Sequence, residues 1–172
     1  MVSTHTDNTS KFPPAIIGIK PSKMLSGEVG LFALRDLRAT TIIWKAFSCG
    51  EKFFDQSVYD ELDKLTKQVV TAHCSMVYDG FYAVPDVNYL PIQSFCNYSC
   101  EPNLGFDEDG NTVLIKDVRE GDELTIDASF FCTHPDWKLD CRCGSKNCRG
   151  IVTGNDWKDP EFVRKNKQWM NV

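Results

Sequence analysis

Three cysteines spaced C-x-C-x4-C, Cys141, Cys143 and Cys148, limit what this chain can fold into more than any other feature. Gly144 lets the backbone turn tightly enough to aim the three thiols at one centre. Three thiolates fall one short of the tetrahedron that closes a structural zinc site, so a fourth ligand has to come from elsewhere in the chain. Of the other cysteines, Cys49, Cys74, Cys96 and Cys132 lie beside apolar residues and read as ordinary buried thiols. Cys100 instead sits in a polar turn containing Pro102 and is the ligand expected. A site of Cys100, Cys141, Cys143 and Cys148 would tie the tail back onto the turn from Asn97 to Asn103. The competing reading is a disulfide pair plus free thiols. It is disfavoured because the first residues lack a secretory pattern, and disulfides persist in oxidising compartments.

The length, 172 residues, suits one compact domain whose core needs no disulfide staples. Hydrophobic residues at 42% and charged residues at 25% are globular values. A net charge of −5 gives no general attraction for nucleic acid or an anionic membrane, and mildly favours a basic partner. No apolar run approaches the roughly 18 residues needed to span a bilayer. The expectation is an intracellular protein, cytoplasmic or nuclear, with no direct nucleic-acid or membrane partner and a polar, disordered arm over Met1–Pro14.

Strand patterns are read at Ile16–Ile19, Leu31–Leu34, Thr40–Phe47, in short pieces of the aromatic stretch Met76–Tyr89, and at Gly121–Asp127. Leu104–Val118 reads as a hairpin turning at Asp109-Gly110. One helix is expected to start at a capping-box-like Ser57 with Asp60, with Val58, Leu62, Leu65 and Val69 along one face. His73 near its end reads as a capping or partly exposed residue. Trp157, Phe162 and Trp169 are placed to dock the last segment on the domain.

Three segments in order carry a resemblance: Asn97-Tyr98-Ser99-Cys100-Glu101-Pro102-Asn103, Gly121-Asp122-Glu123-Leu124-Thr125-Ile126-Asp127-Ala128, and the array from Cys141 to Gly150. With the loop Gly27-Glu28-Val29-Gly30-Leu31-Phe32-Ala33, they resemble the SET-domain methyltransferases with a cysteine-rich post-SET tail, across about Ile16–Val152. The resemblance implies a mainly β fold with a few short helices, a SET-domain β-clip with a knot-like active site and a zinc-binding tail. It divides the chain into a SET domain over 15–135, a post-SET zinc motif over 136–152 and a C-terminal tail over 153–172. It implies S-adenosylmethionine and zinc as cofactors. Glu28, Gly30, Leu31 and Phe32, mainly through main-chain groups, would hold S-adenosylmethionine together with Asn97 and Tyr98. Aromatics of the Met76–Tyr89 stretch, Tyr82 first among them, would line a narrow amine channel.

The pattern breaks where the chemistry needs it. Family members place a tyrosine hydroxyl where this chain has Ala128, the variable aromatic two residues earlier is Ile126, and the signature histidine is Tyr98. Three readings follow. In the first, the chain is an S-adenosylmethionine-dependent methyltransferase acting on a lysine-type amine of a protein, with Tyr98 or Tyr82 supplying the catalytic hydroxyl. In the second, the enlarged pocket of a SET scaffold takes a small molecule, with or without methyl transfer. The third is a catalytically silent binding or interaction protein.

Overall fold

The computed structural model describes residues 13–172. Most of the arm expected over Met1–Pro14 lies outside the described residues, and Pro13 and Pro14 are exposed. The described residues build a seven-stranded sheet, a three-stranded sheet and a two-stranded hairpin, with short helices between them.

The large sheet begins with β1 (Ile17–Pro21) antiparallel to β2 (Val29–Ala33), followed after a loop by β3 (Ile42–Trp44). β2 is the buried strand. Leu31 and Ala33 are fully buried, and burying a leucine-sized side chain contributes about 1.5–3 kcal/mol. The small sheet consists of β4 (Lys52–Asp55), β5 (Ser75–Val77) and β6 (Gly80–Ala83), with β6 in the middle.

Between β4 and β5 the single helix expected from sequence is two. Helix α1 (Gln56–Glu61) is capped by Asp55 and α2 (Lys64–His73) by Asp63. Leu62 is extended, and the Asp63 carboxylate accepts from the N–H groups of Leu65 and Thr66. An aspartate whose carboxylate satisfies a new helix start competes with continuing the old one, which breaks the apolar periodicity in two. Ser57 is therefore not the cap.

A short β7 (Asn97–Tyr98) precedes the hairpin of β8 (Leu104–Phe106) and β9 (Thr112–Leu114) and then β10 (Glu123–Ile126). The crossing of these segments organises the centre. β10 pairs with β2 on one side and runs parallel to both β7 and β8, with Thr125 opposite Asn97 and Ile126 opposite Tyr98 and Leu104. Asn103 stitches the crossing: its side chain donates to the Glu123 carbonyl at 2.8 Å and accepts from the Thr125 N–H at 2.8 Å.

The tail adds β11 (Lys138–Asp140) and β12 (Ile151–Thr153), which bracket the cysteine array, and then α3 (Pro160–Asn166). Phe162 and Trp169 pack against the core of the large sheet. A second core cluster gathers Val70, Met76, Phe81, Ala128 and Trp137, and Tyr98 is packed against both.

Candidate functional site

The four cysteines separated by sequence come together. Sulfurs of Cys100, Cys141, Cys143 and Cys148 all lie within 4.8 Å of one another. The Cys100 and Cys141 sulfurs are 3.7 Å apart, and the Arg149 N–H lies 3.4 Å from the Cys100 sulfur. Burial raises the thiols of Cys100 and Cys141. Burial also opposes ionisation of Cys143, but hydrogen bonds from Ser145 and the Cys100 backbone prevail and lower its thiol to about 6. Four soft donors in one cluster are the set that a tetrahedral d¹⁰ ion takes.

The remaining cysteines stay apart. Cys74 and Cys132 are buried singly and Cys96 is half-buried, but Cys49 is exposed, against expectation. It follows the Phe47 turn at a rim, where it exchanges hydrogen bonds with the Gln93 side chain.

Arg149, beside the array, carries a network that the sequence did not flag. Its guanidinium makes a bidentate pair with the buried Asp127, both bonds at 2.7 Å, and donates to Ser129 Oγ at 3.0 Å. Nε lies 3.2 Å from Asp156 Oδ2 without the alignment of a hydrogen bond, and the guanidinium stacks 4.9 Å from the Phe162 ring. The cysteine tail is thereby tied to the residue that follows β10, immediately before Ala128.

Glu123 organises the glycine loop. Its carboxylate accepts from Ser22 Oγ and the Lys23 N–H, both at 2.8 Å, and from Asn97 Nδ2 at 2.9 Å. Asn97 also donates to the Val29 carbonyl at 2.9 Å. A Cβ on Gly30 would run into the Glu123 carboxylate and stand 2.9 Å from Asn97 Nδ2, so a larger residue here would displace these two side chains. Of the residues expected to hold S-adenosylmethionine, Leu31 and Phe32 have buried side chains in the sheet interior, and their backbones pair with strands on both sides. The main-chain N–H and C=O of Glu28 are used within its own loop by Leu25 and Ser22. Gly30 on β2 and Asn97 on β7 are brought together, and Tyr98 follows Asn97 along β7.

Tyr98 is where two cavities meet. One, of about 840 Å³, lies between the small sheet and the tip of the β8–β9 hairpin and is walled by Trp44, Tyr82, Tyr98, Ile126 and Phe131. Four carboxylates and a single lysine, Lys45, line it. The other, of about 720 Å³, is bounded by Tyr59, Tyr98 and Trp137 and carries Lys64, Lys67 and Lys138 with no carboxylate. Tyr98 packs edge-on against Trp137, at 6.3 Å between ring centroids, and tilted against Phe131 at 6.1 Å. Desolvation pushes its phenol well above the ordinary range, with the thiols of Cys132, Cys96 and Cys74 adding to the effect, so Tyr98 is a neutral hydroxyl across the physiological range. Ala128 is buried in the cluster against which Tyr98 packs. Tyr82 lines only the larger cavity, at its open side with Phe53 and Phe47. Tyr89, at the end of the aromatic stretch, is 79% exposed and outside both. His73 holds the Ser94 carbonyl at 3.2 Å through Nδ1.

A family model described as SET domain matches residues 28–127. Methyltransferase flvH of Aspergillus flavus is 36% identical over 84 residues, 45% of this chain and 44% of that protein. Histone-lysine N-methyltransferase ash1 of Drosophila melanogaster is 34% identical over 91 residues, 49% of this chain and 4% of that protein. Histone-lysine N-methyltransferase Su(var)3-9 of Drosophila pseudoobscura pseudoobscura is 30% identical over 93 residues, 43% of this chain and 15% of that protein. The chain spans less than half the length of these curated relatives. Among the described residues no helix is long and apolar enough to cross a membrane.

Proposed function

The chain belongs to the SET-domain family, and on that premise we propose that it is an S-adenosylmethionine-dependent methyltransferase acting on the nitrogen of a primary, lysine-type alkyl amine. The observation that carries this reading is the position of Tyr98 as a shared wall of two cavities of opposite charge. Displacement at a methyl group needs donor and acceptor aligned on opposite sides of the carbon. A donor in one cavity and an acceptor in the other would approach each other beside Tyr98.

The basic, Trp137-lined cavity, which of the residues expected from the resemblance to hold the cofactor takes in Tyr98 alone, suits S-adenosylmethionine, whose adenine stacks on aromatic faces and whose carboxylate pairs with lysine. When bound there, it supplies the electrophilic methyl group. The aromatic, acidic cavity suits the amine. An alkyl ammonium with a reference pKa near 10.4 costs about 4.6 kcal/mol to hold neutral at pH 7. The apolar walls formed by Ile126 and Phe131 lower that cost by disfavouring the charged form as the nitrogen nears Tyr98. Tyr98, packed on the cluster that contains Ala128, takes the place of the family tyrosine: as a neutral hydroxyl it orients the amine and does not act as a base. Cys100, Cys141, Cys143 and Cys148 would hold zinc as a closed structural site.

The test is transfer of an isotopically labelled methyl group from S-adenosylmethionine to a primary amine by wild type and Tyr98→Phe. Losing a positioned hydroxyl is expected to lower turnover by about 10²–10⁴. Affinity for the demethylated cofactor should change far less. Equal turnover in both proteins would remove Tyr98 from the reaction.

A further inference from the structure

We propose that the acceptor is a short aliphatic diamine or polyamine, free in solution rather than carried on a protein; this rests on the methyl-transfer reading above. The larger cavity is a receptor for a molecule with a second positive centre. Asp79 lies in the β5–β6 turn, and Glu108 and Asp109 in the β8–β9 turn, so acidic residues line the cavity from two separate hairpins. None of the three side chains enters an ion pair or an internal hydrogen bond among the described residues. Glu51, the fourth, is already used by the Cys49 N–H and the Gln93 side chain.

Aromatic rings complete the receptor. Phe47 is 62% exposed, stands 5.9 Å from Tyr82 between centroids, and holds a backbone φ of 52°, a conformation that bulky residues rarely adopt. Phe53 packs on the same tyrosine at 5.5 Å. Aromatic faces beside carboxylates bind alkyl ammonium groups through cation–π and ionic attraction.

On its β5 side the small sheet leaves no free edge for an extended peptide. Peptides commonly dock by adding a strand to a free edge. Beside this cavity the outer edge of β5 is occupied: the Met76 carbonyl accepts from Thr133 at 2.9 Å and His134 at 3.4 Å, and the Tyr78 N–H donates to Thr133 Oγ1 at 3.1 Å. The Asn171 N–H donates to the Phe130 carbonyl at 2.7 Å, which holds Asn171 and Val172 against the cavity. The volume, about 840 Å³, is that of a small-molecule site.

A diamine also eases the chemistry. Its distal ammonium anchors the molecule at the acidic turns and leaves the reacting nitrogen to the apolar walls of Ile126 and Phe131, which disfavour its charged form. The nitrogen lone pair forms the new N–C bond as the S–CH₃ bond breaks, its electron pair going to sulfur, and the resulting ammonium gives its proton to water.

The experiment compares 1,4-diaminobutane, spermidine, n-butylamine and the acetylated peptide Arg-Gly-Lys-Gly-Arg as methyl acceptors for the zinc-loaded full chain. The expected result is a kcat/KM for the two polyamines about tenfold above that for n-butylamine and for the peptide, on the scale of one ion-pair contact. Combining Asp79→Asn, Glu108→Gln and Asp109→Asn should bring the ratio of diamine to monoamine close to one. Calorimetric titration of 1,4-diaminobutane without cofactor, into wild type and the triple variant, reads the cavity separately from turnover. Peptide preference, equal use of n-butylamine, or diamine binding that survives the triple substitution would overturn this acceptor while leaving methyl transfer standing. Transfer to none of the acceptors would overturn the methyl-transfer reading and the acceptor with it.

Discussion

Four of the eight cysteines stand together and four stand apart, and the same functional group behaves differently in the two settings. In the cluster, Ser145 and backbone donors lower the Cys143 thiol to about 6 despite burial. In the core, burial pushes Cys74 up to about 11 and outweighs the backbone hydrogen bonds at Cys96 and Cys132 to push both to about 12. Donors that favour the anion prepare Cys143 for a metal, whereas burial raises Cys100 and Cys141 as it does the core thiols, and what sets those two apart is the company of the other cluster sulfurs. Burial alone does not separate them, since Cys132 and Cys141 are both buried.

The largest effect should come from breaking the cluster. Zinc in small thiolate sites contributes an apparent 10–16 kcal/mol, roughly, to folding of the segment that holds it. Cys141→Ser, or chelation of the wild type, is expected to remove the metal, about one per chain, and to abolish hydrogen-exchange protection from β11 through β12. The large sheet should keep its protection. A metal-free protein with a protected tail would contradict the assignment.

Next is Arg149→Ala, which leaves the buried Asp127 carboxylate without its partner. Breaking a buried pair this way costs about 3–5 kcal/mol, measurable by denaturant titration. Arg149→Lys should recover little, because a single ammonium cannot reproduce the bidentate contact.

The smallest effect, taken per thiol and per pH unit, is alkaline. Unfolded thiols release their protons above about pH 8.5 while those of Cys74, Cys96 and Cys132 keep theirs to about 11 or 12, so the unfolded state binds fewer protons and stability falls as pH rises. Each thiol should contribute a loss of about 1.4 kcal/mol per pH unit over that window. Cys96→Ala should reduce the slope by about that amount. A stability flat from pH 8 to pH 10.5 would show that these thiols are not desolvated.

The parts legible in the sequence were those in which residue type and spacing both mattered. The thiol array, the Asp109-Gly110 turn and the strand Glu123–Ile126 stand where their patterns put them. The helix break at Leu62 was hidden because apolar spacing continues across it while Asp63 caps a second helix. Arg149 and Glu123 were missed for another reason. Both occupy motif positions, but their partners Asp127, Ser22 and Lys23 are distant in sequence and reveal themselves only in the folded crossing. The cavity carboxylates come from two hairpin turns, and each looks alone like an ordinary solvated turn residue.

Methyl transfer across Tyr98 is tested most directly by calorimetric titration of the zinc-loaded protein with S-adenosylmethionine and its demethylated product, in wild type and Tyr98→Phe. One site of micromolar affinity, about −8 kcal/mol, is expected in both proteins if methyl transfer proceeds there. Absence of binding by a protein that is folded and carries its metal would contradict it.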